Sequence, residues 1–155
     1  MNLSDLRKSV TCIIAPPGSY LCALFLMTSS VDALSDWQYD FFDPVSGVIS
    51  SFRVEQHHAV AVSSDTPISS EVLLPLALPL VLISPVAALA TLLLQFEQGE
   101  QGTQYILTLQ QQESGPVWRV TATTVAFSFV HVVLHAVSGD IVSSGRQSAF
   151  SLGSG

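Results

Sequence analysis

Four histidines, twelve carboxylates and two cysteines are the groups through which this sequence could do chemistry, among many serines. His131, Val133 and His135 alternate in an apolar run. On a strand both imidazoles then share a face and lie about 13 Å apart along it. Two ligands of one metal ion must sit far closer. A site would need His57 or His58 from another strand, and no cysteine or carboxylate stands ready to complete a tetrahedral set. No metal is expected. No Gly-x-Ser-x-Gly elbow exposes a serine at a strand-to-helix turn, and a Ser-His-Asp set can be composed arithmetically from any serine-rich chain. Asp32, Asp36, Asp40 and Asp43 gather around one aromatic segment. Two carboxylates in an apolar cleft could do acid–base work, but carboxylates at hairpin ends are ordinary solvent-side groups, and that is the plainer reading. The glycines stand singly at turns and give no phosphate cradle. Were the chain an enzyme, Asp40, His131 and His135 would be the first residues to change. No catalytic residue and no cofactor is assigned.

The 155 residues suit one domain or a compact pair of small halves. With 48% hydrophobic and 11% charged residues, the chain has enough apolar surface to exclude intrinsic disorder. Five basic against twelve acidic groups give a net charge of −7. A nucleic-acid binder needs clustered cations to displace counterions from phosphates; this chain has a single lysine, Lys8, so nucleic acid is excluded as an expected partner. So few charges leave several strands apolar on both sides. That implies a subunit interface, a partner surface or a ligand cavity, unless Val72–Ile83 lies over the second face of the sheet. Cys12 and Cys22, ten residues apart, could bridge a helix to the next strand or remain free, partly buried thiols.

Two stretches test for targeting. Val72 to Phe96 carries no charge and is long enough to cross a bilayer, but Pro75, Pro79 and Pro85 interrupt it. No integral membrane span is expected. At the N-terminus, Arg7 and Lys8 precede the apolar Val10–Met27, and small residues follow at Ser29–Ala33, which imitates a secretory signal. Asp5 and the Ala15-Pro16-Pro17-Gly18 break argue against it. The cytoplasm is the default, with a secreted or periplasmic location as the alternative.

The elements follow from periodicity and punctuation. Leu3, Leu6, Val10, Ile13 and Ile14 form a helical stripe, with Asn2 or Ser4 as N-cap and Pro16 as stop. From Ser19 to Met27 both faces are apolar, as for a central strand. Trp37-Gln38-Tyr39-Asp40-Phe41 alternates aromatic and polar, a half-buried strand with its aromatic face inward. Asp43-Pro44-Val45-Ser46-Gly47 turns the chain back into Val48–Gln56, and Ala59–Val62 continues the sheet. Ser63–Glu71 is a polar connector, and Leu78–Ile83 is a strand or an extended segment over the core. Ser84-Pro85 opens a second helix whose apolar face is Val86, Leu89, Ala90, Leu93 and Phe96. Strands then follow at Tyr105–Leu109, at Val117–Val125 after the Glu113–Pro116 turn, at Phe129–Ala136 and at Ile141–Ser143.

Both halves read helix, glycine-containing loop, long strand, then a strand with a tryptophan, Trp37 or Trp118. Both also carry Val-Ser-Gly before an aliphatic strand, at Val45–Gly47 and Val137–Gly139. Aligning the tryptophans puts these turns one strand out of step. A duplication and the chance recurrence of a good turn both fit.

Gly115-Pro116-Val117-Trp118-Arg119-Val120, a strand ending at His135-Ala136, and Val137-Ser138-Gly139-Asp140-Ile141-Val142 together resemble the C-terminal half of a PepSY-type domain. Ser29–Asp32 leading to Trp37–Phe41 is similar to the N-terminal repeat of tandem members. His135 stands where the family has aspartate, and Ser138 where it has threonine. The resemblance implies a cystatin-like helix cradled by an antiparallel sheet, a non-catalytic role such as peptidase inhibition or partner binding, and a secreted or periplasmic setting.

The expected fold is therefore α+β, with two antiparallel sheets each packed on one helix. Residues 1–62 form a first half, 63–83 a connector, 84–147 a PepSY-like second half and 148–155 a loose tail. The expected function is a non-catalytic, inhibitor- or chaperone-like protein-binding module acting through an apolar sheet face and hairpin loops. Its binding residues would be Trp37, Tyr39, Phe41, Trp118, His131 and His135, and its partner another protein or a second copy in a homodimer. The alternative is a carrier or enzyme with a small apolar ligand held between helix and sheet.

Overall fold

Asn2 caps the first helix reciprocally. Its side chain accepts from the Asp5 amide at 2.9 Å, and the Asp5 carboxylate accepts from the Asn2 amide at 3.1 Å. This capping box satisfies two amides that a helix start otherwise leaves without partners, and α1 runs Leu3–Val10. The computed structural model describes residues 2–66 and 72–148. Beyond the Pro16-Pro17-Gly18 break come β1 (Tyr20–Thr28), β2 (Gln38–Phe42), β3 (Ile49–Glu55) and β4 (His58–Asp65). After α2 (Pro85–Leu93) come β5 (Gly102–Gln112), β6 (Gly115–Thr124), β7 (Ser128–His135) and β8 (Ile141–Ser148).

All eight strands belong to a single antiparallel sheet in the order β4-β3-β2-β1-β5-β6-β7-β8. This corrects the expected pair of sheets each cradling one helix. The two four-stranded meanders join edge to edge where β1 pairs with β5, Leu24 opposite Leu109 and Leu26 opposite Leu107. Two short helices lie against a sheet too wide for either to cover, so the sheet dominates the architecture. The element order, one helix then four strands, occurs twice. The Val-Ser-Gly turns nevertheless fall between β2 and β3 in the first half and between β7 and β8 in the second.

β1 is central, as its two apolar faces require. Leu24 and Leu26 face the core, and so do Trp37, Tyr39 and Phe41 of the β2 segment and Tyr105, Leu107 and Leu109 of β5. Trp118 and Val120 on β6, with Val130, Val132 and Leu134 on β7, extend the same layer. The Trp37 and Trp118 rings meet edge to face with centroids 5.8 Å apart. Their indole N–H groups donate to the Leu34 and Ile83 carbonyls. Val10–Met27, the signal-like run, thus supplies the last residue of α1, the Pro16-Pro17-Gly18 break and most of the central strand.

From Leu76 the Val72–Ile83 segment runs across the helix side of the sheet instead of over its second face, while Val72–Leu74 border the edge of that second face. The Leu76 amide donates to the Leu21 carbonyl at 2.8 Å, and those of Leu82 and Ile83 both reach the Ala136 carbonyl at 2.9 Å. Between them Leu78–Leu80 makes a 3₁₀ turn, not the strand that was one of two expectations. The Arg7 guanidinium donates to the Val81 carbonyl at 2.6 Å and ties α1 to this strap.

Ser84 caps α2 by accepting from the Ala87 amide at 3.1 Å, and Pro85 takes the first helical position. The helix buries Pro85, Ala88, Leu89 and Leu92. Of the expected face only Leu89 is buried: Val86 is 60% exposed, Leu93 36%, and Ala90 is also exposed, while Phe96 is half-buried. Thr91 is the only polar residue from Pro85 to Leu94, so no polar stripe marks the outer side.

Other differences are of extent. Ser63–Asp65, assigned to the connector, belong to β4, and β8 continues to Ser148. The rest of the connector at 67–71 and of the tail at 149–155 lies outside the described residues. Gln56 and His57 form the two-residue β3–β4 turn with φ of 49° and 67°, the left-handed pair a tight hairpin demands.

Candidate sheet face

Strand alternation sends every second side chain to the side away from the helices. One row across that face reads Arg53, Gln38, Phe25, Thr108, Arg119, Val133 and Ser143 from β3 to β8. The next row toward the β5–β6 and β7–β8 turns holds Ser51, Asp40, Ala23, Gln110, Val117 and His135, and the row on the other side holds Met27, Ile106, Thr121, His131 and Gly145. Arg53, Met27, Arg119 and His131 are exposed, and Gln38, Thr108, Gln110 and Thr121 are half-buried. Glutamine and threonine amid scattered apolar side chains make a surface that can be desolvated at modest cost and can still hydrogen-bond.

The charges on this face are sparse and unequal in availability. Asp40 accepts from Ser51 Oγ at 2.6 Å and from Gln38 Nε2 at 3.0 Å. Arg53 and Arg119 make no ion pair among the described residues. They lie four strand spacings apart, about 19 Å. Cys22 is buried beside Asp40; burial first and the Asp40 charge second push its thiol up to about 12, so it is no nucleophile at neutral pH. Both cysteines are free, which settles the two readings in favour of thiols. A depression of about 630 Å³ borders the face, lined by Cys22, Gln110, Gln112, Glu113 and Arg119 with Val72–Leu74 along its rim. Between the helices and the sheet, Leu6, Leu24, Leu89, Leu92, Leu107 and Trp118 belong to one buried cluster.

The residues named from sequence separate into two groups. Trp37, Tyr39, Phe41 and Trp118 are all buried under the helices and strap, at most 7% exposed. Burial raises the Tyr39 hydroxyl above its ordinary pKa. His131 and His135 share the helix-free face as the alternation required, His131 exposed and lying across Gly145 of β8. A Cβ at Gly145 would come within 2.6 Å of the His131 ring, so that glycine leaves room for the imidazole. Among the carboxylates, Asp43 closes the β2–β3 turn by accepting from the Val45 and Ser46 amides, which holds it below the usual range. Asp32 and Asp36 are exposed in the β1–β2 loop. The four carboxylates do not share a cleft, and no three His, Cys, Asp or Glu groups among the described residues could hold a metal ion.

Arg119, Thr121, Gln110 and Phe25 were not singled out from the sequence. Their signal was present in the alternation itself, as the residues between the buried positions of β1, β5 and β6. On the helix side, Arg146 of β8 binds Glu100 with two contacts of 2.6 and 2.7 Å and reaches Glu97 at 3.7 Å. Among the described residues no helix is long and apolar enough to cross a membrane.

No known family profile matches the chain, and no curated protein matches it either. Among solved structures it is similar to a putative lipoprotein from Clostridium difficile 630, with a TM-score of 0.55 over 93% of this chain and 90% of that one. The two are 11% identical, so the likeness is one of fold.

Proposed function

We propose that this protein is a non-catalytic binding module that engages another protein through the helix-free face of its sheet. The observation that carries this reading is the face itself: eight strands wide, unroofed by either helix, and lined by neutral polar and apolar side chains. Its two cations, Arg53 and Arg119, which make no ion pair among the described residues, stand out on a chain of net charge −7, and they suit a partner that presents carboxylates. The PepSY-like run Gly115–Val142, which builds β6, β7 and the start of β8, supports the same non-catalytic role. In place of the cytoplasmic expectation we set the module outside the cytoplasm, exported or held at a membrane surface. The lipoprotein description of the Clostridium difficile chain supports that placement.

Photo-crosslinking in the native cell tests the proposal. A photoreactive residue at Thr121, on the helix-free face, should give a heterologous protein adduct, and one at Ser4 on α1 should not. Arg119→Glu should abolish the Thr121 adduct while leaving the circular dichroism spectrum unchanged. Equal adducts at both positions, or none at Thr121, refute the assignment of the face.

A further inference from the structure

The helix side of the molecule carries a second surface that the proposed function does not use. On α2, Val86, Ala90, Leu93 and Leu94 form one stripe opposite the buried Pro85, Ala88, Leu89 and Leu92. Val86 is 60% and Leu94 83% exposed, and in the strap just before the helix Leu80 and Leu82 are 59% and 67% exposed. A helix that is hydrophobic all round is normally enclosed. Here the inner side meets β6 and β7, and among the described residues the outer side stays exposed.

We infer that this outer stripe is a self-association surface, on which a second copy of the chain docks α2 against α2 about a two-fold axis. The five large side chains leave roughly 500 Å² of apolar surface uncovered, at the upper end of what a monomer ordinarily exposes. Pairing two copies buries about 1,000 Å², the threshold of a specific interface, before the alanines and backbone are added. Charge selects the occupant. A chain of net charge −7 repels its own copies over most of its surface, but Val72–Phe96 contains no ionisable group. This is the long stretch along which two identical surfaces meet without like charges facing each other. An isologous contact needs that property, because every residue near the axis meets its own copy. A membrane surface fits less well: helices that lie on bilayers carry Lys and Arg along their polar border, and α2 has none. The dimer leaves both helix-free sheet faces outward, so the inference stands or falls separately from the proposed function.

Sedimentation velocity on the full chain at tens of micromolar tests it. The wild type should sediment at twice the chain mass. The double variant Val86→Glu, Leu94→Glu, which sets four like charges at the axis, should sediment as a monomer. Both positions are exposed, so the variant should keep the wild-type circular dichroism spectrum. A second pair, Val60→Glu with Val62→Glu on the edge strand β4, should remain dimeric. A monomeric wild type overturns the inference, as does a dimer that survives the α2 charges or dissociates only with the β4 pair. A monomeric wild type that cosediments with phosphatidylcholine vesicles would assign the stripe to lipid.

Discussion

Replacing Trp118 separates a core tryptophan from one presented to a partner. Its side chain is completely buried, its ring packs edge to face on Trp37 at 5.8 Å, and its N–H donates to the Ile83 carbonyl at 2.9 Å. Trp118→Ala removes the ring and leaves a cavity between β6 and the strap, at a cost of about 3–5 kcal/mol. Trp118→Phe keeps an aromatic in place but loses the hydrogen bond, about 1 kcal/mol, and part of the ring volume, for about 2 kcal/mol in total. The edge-to-face contact adds about 1 kcal/mol of coupling with Trp37, readable from a cycle built on Trp37→Leu and Trp118→Leu. The assay is urea unfolding followed by far-ultraviolet circular dichroism, since tryptophan fluorescence changes with the substitution itself. Against a total stability of about 5–15 kcal/mol, the alanine variant should show a large drop in midpoint with an unchanged slope. A loss below about 0.5 kcal/mol, the level of an ordinary surface substitution, would show that Trp118 is not enclosed and would refute the packing of the strap on β6.

Two further outcomes follow from the polar groups. The Arg146 hydrogen bonds hold Glu100 below the usual carboxylate pKa, so its contribution is present above the unfolded value and is lost as pH falls through the depressed one. Glu100→Gln should cost about 1 kcal/mol at neutral pH, and in acid unfolding the difference from wild type should shrink below about pH 4; a difference constant down to the acid limit refutes the pairing. Of the two thiols, half-buried Cys12 should react with a disulfide reagent in the native protein at pH 8, and Cys22 only on unfolding. Two fast thiols would show that β1 is not enclosed.

Local pattern is what the sequence carries, and the elements that depend on it were legible there. The two-sided apolarity of Tyr20–Met27 placed β1 at the centre of a sheet, and the aromatic alternation of Trp37–Phe41 set the inward side of β2. Ser84-Pro85 marked the start of α2. The β1–β5 pairing was not legible, because an antiparallel seam between strands so far apart in sequence leaves no trace in the periodicity of either. Without that seam, two small sheets are the natural inference. The inward face of α2 was missed for a different reason. Periodicity locates a buried side only by contrast with a polar one, and Thr91 alone supplies none. At the site, His131 and His135 were placed on their shared face by alternation alone. The tryptophans drew attention because large aromatics dominate both interfaces and cores, and only the position of the helices and strap decides between them. Arg119 and Thr121 carried no motif, and their significance arises from the width of the sheet around them.

The seam also orders events during synthesis. β1 leaves the ribosome just ahead of β2 and pairs with it on one edge, but its other edge waits until residues 29–101 have been made and β5 emerges. Any nascent chain that ends before Gly102 therefore has its most apolar strand at the margin of a half-sheet, with the backbone groups that later pair with β5 unmatched on that side. The seam at the centre of the finished molecule therefore closes only after the whole first meander has been made, and the strand that most needs a neighbour waits longest for one.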